Sequence, residues 1–251
     1  MPGIEALSPL GIVDGLIFVF LAVLIPLGTA RSYPRIRQRL LDGEPGLHEA
    51  LYQSGILTQW VLVSLLLLYW WFQGRGLAEL GLIWRQPWEI AGFVLALMAV
   101  HLFFVLWLVL VSCSHIEGLN RWWPRLRHAP GHELVPISAS QLRLWAGVSM
   151  TAGICEEILF RGFILWCLNH WFYPGASLLI MAIIFGLGHI YQGRRGMVQT
   201  GVVGLILGLI YVASGSLLLA MLWHTLIDWA HGWAWFRLRR LSEAEESRKP
   251  L

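Results

Sequence analysis

The chain has 251 residues, of which 57% are hydrophobic and only 13% are charged. Its mean hydropathy is +0.63, whereas a soluble domain contains about 45–50% apolar and about 25% charged residues. Because so few charges cannot coat a protein surface, we expect lipid to cover most of the chain. This excludes a soluble nucleotide-binding domain, a disordered regulator and a secreted disulfide scaffold. The net charge is +3, but the basic residues lie mostly between apolar stretches, where they orient a membrane protein. We therefore expect no nucleic-acid partner.

Seven apolar stretches approach the roughly 20 residues that a membrane-spanning helix needs. In chain order they are residues 10–29, 55–72, 90–112, 144–168, 175–190, 197–213 and 216–236. A further re-entrant or interfacial helix near residues 134–144 is an additional option. The sequence therefore predicts an all-α fold, a polytopic transmembrane helical bundle with about seven to eight spans.

The domain organisation follows from these stretches. We interpret residues 1–251 as a single integral membrane domain, in which residues 1–140 are N-terminal spans of unassigned role. Residues 141–236 hold the polar positions described below, and residues 237–251 form a polar cytoplasmic tail. The leader before the first span has no basic residue and carries Glu5, so we expect this span to be retained rather than cleaved as a signal peptide.

Basic residues alternate from one side of the predicted bundle to the other. They follow the first, third, fifth and seventh spans, and the remaining loops carry few charges. The positive-inside rule then places the N-terminus outside and the C-terminus in the cytoplasm. A compact chain with short loops favours a bacterial cytoplasmic (inner) membrane.

Ionisable residues within three of the spans are the strongest functional signal. Each costs roughly 2.5–3.5 kcal/mol at the centre of a membrane helix on insertion scales, so such residues are rarely without a role. The fourth, fifth and seventh spans contain six of them: Glu156, Glu157, Arg161, His189, His224 and Asp228.

The spacing of these residues separates their roles. Glu157 and Arg161 are four residues apart and share a helix face, which predicts a structural ion pair. Glu156 is rotated by about 100° on the helix and has no obvious local partner, so its carboxylate is free for chemistry. A carboxylate can take a proton from water, and histidines can orient that water or donate to a developing oxyanion. We therefore predict a hydrolytic site in a cavity open to the cytoplasm.

These residues resemble the CPBP intramembrane protease family, which includes the type II CAAX prenyl endopeptidases. The segment from Glu156 to Arg161 matches the EExxxR signature of that family. Phe185 to His189 matches its FxxxH motif, and His224 to Asp228 matches its HxxxN/D motif. The three motifs occur in the expected order, each on a separate predicted helix.

The resemblance implies a glutamate-dependent intramembrane endopeptidase in which residues 141–236 are the catalytic core. Glu156 would activate the water and His189 would help to position it. His224 and Asp228 would form or support the oxyanion site. The prenyl endopeptidases have Asn at the position of Asp228, and an ionised Asp cannot donate a hydrogen bond as Asn does. Either burial keeps Asp228 protonated, or Asp228 orients His224 instead.

The resemblance also assigns two supporting residues and a class of partner. Glu157 and Arg161 would support Glu156. The expected partners are a membrane-associated protein or peptide substrate and the lipid bilayer, and the oligomeric state is left open.

Four other functions remain as alternatives. The same acidic and histidine residues are competent zinc ligands, but the chain has no HExxH motif and Arg161 would lie close to any metal, so we expect no cofactor. A cysteine protease would use Cys155, which lies in an apolar stretch where cysteine usually packs as a small hydrophobe. A proton-coupled transporter also places carboxylates and histidines within the membrane. The last alternative is a non-catalytic membrane scaffold or immunity protein.

Other polar and small residues in the spans have structural interpretations. Asp14 and His101 are expected to pack or to form hydrogen bonds. Gly204 and Gly208 form a small-xxx-small pair, which is typical of closely packed membrane helices.

Overall fold

A computed structural model describes residues 9–83 and 130–247, with positions 92, 95 and 99 between them. The described residues form helices, turns and loops and contain no strand, which confirms the all-helical class. The predicted span at residues 90–112, which includes His101, lies outside these ranges apart from the three isolated positions.

Six long helices, here called α1 to α6, make up the described part of the chain. Helix α1 is Ile12–Leu41 with a π-helical segment at Phe20–Leu24, and α2 is Leu47–Phe72. Helix α3 runs through Ala139–Glu157, the π-helical Ile158–Ile164 and Leu165–Leu168. Helices α4, α5 and α6 are Pro174–Gly188, Gly193–Ser214 and Leu217–Glu246. Two short 3₁₀ turns lie at His132–Leu134 and Ile190–Gln192.

Three of the described helical stretches are long and apolar enough to cross a membrane: Ile12–Leu41, Leu47–Phe72 and Ile190–Ser214. The shorter α4 is also apolar. Every predicted span outside residues 90–112 coincides with a helix, whereas the total of seven to eight spans stays a prediction. The protein is thus an all-helical integral membrane protein, as the composition indicated.

Helix boundaries differ from the sequence prediction in three places. Helix α1 continues through the basic stretch that was predicted to be a loop, because arginine is a good helix former. No separate helix forms near residues 134–144. Instead α3 begins at Ala139 behind Ser138, whose Oγ accepts a hydrogen bond from the Gln141 amide at 3.1 Å and caps the helix. Helix α6 continues to Glu246, into the predicted polar tail.

Helix α3 lies at the centre of the core and packs against α2 and α6. A Cβ atom added to Gly153 would lie 2.1 Å from Thr225 Oγ1, so only glycine allows α3 and α6 to approach this closely. A Cβ atom on Gly186 of α4 would lie 2.7 Å from the carbonyl oxygen of Met197 on α5. The first contact joins α3 to α6 beside the first and third motifs, and the second joins α4 to α5 beside the FxxxH motif.

The small-xxx-small pair on α5 serves the same purpose, as predicted. A Cβ atom on Gly204 would lie 2.7 Å from the Phe185 ring, and one on Gly208 would lie 2.4 Å from Leu178. Both glycines therefore allow α5 to pack closely on α4.

Asp14 is a fully buried hydrogen-bonding residue, as the sequence indicated. Arg75 donates to its two carboxylate oxygens at 2.6 and 2.7 Å, and Tyr69 and the Gly11 amide donate as well. Because Asp14 accepts these hydrogen bonds, it raises the pKa of the Arg75 guanidinium. The pair fixes the start of α1 to the turn that follows α2.

Candidate active site

The three motif-bearing helices meet at one cluster of polar side chains. Glu156, Glu157 and Arg161 lie at the junction of the α-helical and π-helical parts of α3. His189 caps the C-terminal end of α4. His224 and Asp228 lie one turn apart on α6. The structure therefore brings together all six ionisable residues that the sequence singled out.

Glu156 has one carboxylate oxygen without a hydrogen-bond partner among the described residues. This buried oxygen, Oε2, lies 4.0 Å from His189 Nε2 and 4.0 Å from His224 Nε2. Both distances are too long for a direct hydrogen bond and suit a bridging water. The side chains of Glu156 and His189 are each 17% exposed, so each is partly accessible to solvent although Oε2 itself is buried.

Glu157 is fully buried and is the centre of a structural network. Its Oε1 accepts hydrogen bonds from Arg161 Nη1 at 2.7 Å and from His224 Nδ1 at 2.8 Å. Arg161 also donates through Nη2 to the Gly204 carbonyl at 2.9 Å. The predicted Glu157–Arg161 pair is thus present, and the residue that it orients directly is His224 rather than Glu156.

The partners of the two histidines determine which ring nitrogen faces Glu156. The Nδ1 atom of His189 lies 2.9 Å from the Phe185 carbonyl oxygen, which can only accept a hydrogen bond, so Nδ1 carries the proton. The Nδ1 atom of His224 likewise donates to the Glu157 carboxylate. In both rings Nε2 is consequently the atom that is free to interact with a water molecule or a substrate.

Phe185, the first residue of the FxxxH motif, also supports the rings directly. The guanidinium carbon of Arg161 lies 4.2 Å from the centre of the Phe185 ring. The same ring contacts the imidazoles of His189 and His224 at centroid distances of 4.9 and 5.9 Å. This aromatic side chain therefore packs against the buried guanidinium and both imidazoles.

Asp228 lies on the more exposed side of the cluster, with 35% of its side chain accessible. Its Oδ2 is 3.6 Å from His224 Nε2, which is longer than a hydrogen bond. Because Glu157 already orients His224 through Nδ1, Asp228 faces the opposite nitrogen, beside the space next to Glu156. The Asp228 backbone carbonyl accepts a hydrogen bond from Trp145 Nε1 at 2.9 Å, which ties α6 to α3.

Sequence reasoning missed one residue of this cluster. Gln59 on α2 donates through Nε2 to Glu156 Oε1 at 3.3 Å. The only signal in the sequence is a polar amide within an otherwise apolar span. Nothing in the chain pattern indicates that α2 packs beside Glu156, because the two residues are 97 positions apart.

The described residues contain no group of three or more His, Cys, Asp or Glu side chains with metal-binding geometry. Zinc ligands at about 2.0–2.2 Å in a tetrahedron are only about 3.4 Å from one another, whereas Glu156 Oε2 is 4.0 Å from each imidazole. The side chains would have to move inward to share one ion. Cys155 is fully buried in the hydrophobic core, in keeping with its interpretation as a small hydrophobe.

Comparison with known proteins finds a family model that matches part of the chain. A family model described as type II CAAX prenyl endopeptidase Rce1-like matches residues 138–230, a region that contains all three motifs. This match confirms the resemblance to the CPBP and CAAX protease family that the motifs indicated. No curated protein and no solved structure matches the chain.

Proposed function

From the Rce1-like region at residues 138–230, we propose that the protein is an intramembrane endopeptidase in which Glu156 activates water to hydrolyse a peptide bond. The observation that carries the proposal is the buried, unpaired Oε2 of Glu156, which lies 4.0 Å from Nε2 of both His189 and His224. A water molecule at this position can donate to the carboxylate and contact both imidazoles.

The proposed hydrolysis uses Glu156 as the general base and His189 to orient the water. Glu156 Oε2 takes a proton while the water oxygen attacks the carbonyl carbon of the scissile bond. His189, with its proton on Nδ1, offers Nε2 as an acceptor that orients the water. The proton on Glu156 then passes to the amine nitrogen as the C–N bond breaks.

His224 is assigned to the developing oxyanion. Its Nδ1 faces the Glu157 carboxylate at 2.8 Å, and a carboxylate in that position stabilises an imidazolium. An imidazolium donates from Nε2, which is the atom that faces the space beside Glu156. Preorganised donors of this kind stabilise negative charge in the transition state.

Asp228 acts through His224 in this scheme. Its carboxylate lies 3.6 Å from Nε2, so it adds negative charge beside the imidazolium. An ionised Asp228 cannot itself donate to the oxyanion. We therefore assign its role to the charge of His224.

The substrate class and orientation are part of the same proposal. A site within an integral membrane protein suits a membrane-associated protein or peptide substrate. The basic stretches at residues 31–39 and 237–240 lie at the C-terminal parts of α1 and α6, which favours a cytoplasmic side for both and a cavity open to the cytoplasm. A bacterial inner membrane remains the proposed location.

Comparative terminal peptidomics of native membranes tests the proposal. Cells expressing the wild type are compared with cells expressing Glu156→Gln at equal level, and Glu243→Gln on the exposed end of α6 is the matched control. We expect specific peptide termini to disappear in Glu156→Gln and to remain in the control. Identical terminal profiles in the wild type, Glu156→Gln and Glu243→Gln would overturn proteolysis. If deletion of the whole protein still gave a phenotype, a scaffold or transport role would be favoured.

The same preparation separates the metal alternative. A zinc-dependent protease that used these residues would contain stoichiometric zinc, and chelation would remove zinc and activity together. A glutamate-dependent enzyme keeps its activity after chelation.

A further inference from the structure

Gln59 is a polar side chain of the site that lies outside the region matched by the family. It belongs to α2, and its Nε2 donates to Glu156 Oε1 at 3.3 Å. Its own carbonyl oxygen is buried and has no hydrogen-bond partner among the described residues. The NH₂ group of the amide therefore donates to Glu156, and its carbonyl oxygen accepts from no described group.

The orientation of this amide follows from the chemistry of its partner. An ionised carboxylate only accepts hydrogen bonds, so Gln59 must present its NH₂ group to Glu156. The interaction occupies Oε1 and leaves Oε2 as the oxygen that faces His189 and His224. A half-turn of the carboxylate only exchanges its two equivalent oxygens, so Gln59 would still donate to one of them. A tilt of the carboxylate away from the histidines would break the hydrogen bond from Gln59.

A purely structural role does not explain Gln59. Its unpaired buried carbonyl is unfavourable, and a leucine or methionine would fill the same volume in a membrane helix without that penalty. Other hydrogen bonds already join α2 to α3. Trp60 donates to Thr151 Oγ1 at 3.1 Å, and Gln141 donates to Glu49 at 2.9 Å.

We propose that Gln59 is a positioning residue, which holds the Glu156 carboxylate aimed at the space between the two histidines. The proposal rests on the proposed function of Glu156 and extends it, because it makes α2 a functional part of the site. The N-terminal spans then contribute to catalysis as well as to packing.

Steady-state kinetics of the full chain in lipid nanodiscs tests this role. The probe is a peptide that spans the bond identified by terminal peptidomics. Gln59→Leu removes the donor, and Gln59→Glu replaces it by an isosteric carboxylate that repels Glu156. Trp60→Phe is the matched control, because it removes the neighbouring α2–α3 hydrogen bond without touching Glu156.

The expected pattern is a loss of kcat that follows the chemistry at position 59. Gln59→Leu should lower kcat by about 10- to 100-fold, the usual size of a hydrogen bond to a charged group, with KM changed by less than about 3-fold. Gln59→Glu should lower kcat further, although it is isosteric. Trp60→Phe should keep kcat within about 2-fold at a similar loss of thermal stability. Equal losses of kcat in Gln59→Leu and Trp60→Phe, or an unchanged kcat in Gln59→Leu, would overturn the proposal.

A second measurement needs no substrate. A hydrophobic carbodiimide modifies carboxyl groups within the membrane, and tandem mass spectrometry distinguishes Glu156 from Glu157. Because the Gln59 donor occupies Oε1 and holds the carboxylate in place, Gln59→Leu should free this oxygen and label Glu156 faster than the wild type or Trp60→Phe. The other ionisable groups around the carboxylate are unchanged in these variants: Glu157, Arg161, His189, His224 and Asp228.

The two measurements separate the failure of this inference from the failure of the proposed function. Faster labelling of Glu156 in Gln59→Leu without any Glu156-dependent cleavage would support the contact and overturn the protease. Glu156-dependent cleavage with unchanged labelling and unchanged kcat in Gln59→Leu would support the protease and overturn the role of Gln59.

Discussion

Two carboxylates within predicted membrane spans, the fully buried Asp14 and the partly exposed Glu156, differ in how completely their oxygens are hydrogen-bonded. Both oxygens of Asp14 accept hydrogen bonds from Arg75, at 2.6 and 2.7 Å, and further donors complete the site. Glu156 has one weak donor at Oε1 and no described partner at Oε2. A buried carboxylate that stabilises structure is paired with a cation, because an unpaired buried charge is costly. Glu157 follows this rule, since Arg161 lies 2.7 Å from its Oε1, although its Oε2 also lacks a hydrogen-bond partner among the described residues. Glu156 differs from both structural carboxylates, because it has no arginine partner among the described residues and its spare oxygen faces two imidazoles.

The largest effect is expected at the buried Glu157–Arg161 ion pair that supports His224. Arg161→Met removes the guanidinium that pairs with the buried Glu157 carboxylate and leaves His224 as its remaining donor among the described residues, and breaking a buried ion pair costs about 3–5 kcal/mol of stability. We expect little folded protein and no activity, measured as the yield of monodisperse protein and its thermal midpoint. Arg75→Met should be comparably destabilising, because it breaks the Asp14 pair. If Arg161→Met folded as stably as the wild type, Glu157 would not depend on its buried partner.

Substitution of the histidines should act on the reaction more than on the fold. His189→Gln and His224→Gln each remove a group that contacts the water or the oxyanion, and we expect kcat to fall by about 10²–10⁴-fold. His224→Gln should also lower stability, because Glu157 loses a donor, whereas His189→Gln should not. Turnover of the cleaved peptide and thermal midpoints measure the two effects separately. Near-normal turnover in both variants would remove the imidazoles from the mechanism.

The smallest effect is expected at Asp228, the most exposed member of the cluster. Asp228→Asn keeps the size of the side chain, and the amide can donate to the oxyanion directly. We expect kcat to change by less than about 10-fold, since the charge interaction with His224 is exchanged for a hydrogen bond to the oxyanion. Asp228→Leu, which offers neither charge nor donor, should be more impaired. Loss of activity in Asp228→Asn as severe as in Asp228→Leu would show that the negative charge itself is required.

Local features of the site were predictable from the sequence, because helical periodicity alone determines them. The four-residue spacing of Glu157 and Arg161 predicted a pair, and their atoms lie 2.7 Å apart. Asp14 was expected to form hydrogen bonds and Gly204 to permit close packing, and both do so. Helices formed at every predicted span in the described ranges, because long apolar runs in lipid must satisfy their backbone groups internally.

Contacts between distant segments were not predictable in this way. The hydrogen bond from Gln59 depends on how α2 packs beside α3, and no local pattern encodes that packing. The link from Glu157 to His224 crosses 67 positions, so the sequence associated Glu157 with its neighbour Glu156 instead. The sequence also misplaced two helix ends, since α1 and α6 both continue beyond their apolar runs into the polar stretches that follow.

The most direct test of the central claim compares Glu156→Gln with Asp14→Asn in the same lipid nanodiscs. Single-turnover cleavage per folded molecule and the thermal midpoint are measured for both variants and the wild type. We predict that Glu156→Gln loses about 10³–10⁴-fold in rate at an unchanged midpoint. Asp14→Asn should keep its rate within about 3-fold and lose stability, because it weakens a buried ion pair. A wild-type rate in Glu156→Gln would contradict the assignment of Glu156 as the residue that activates water.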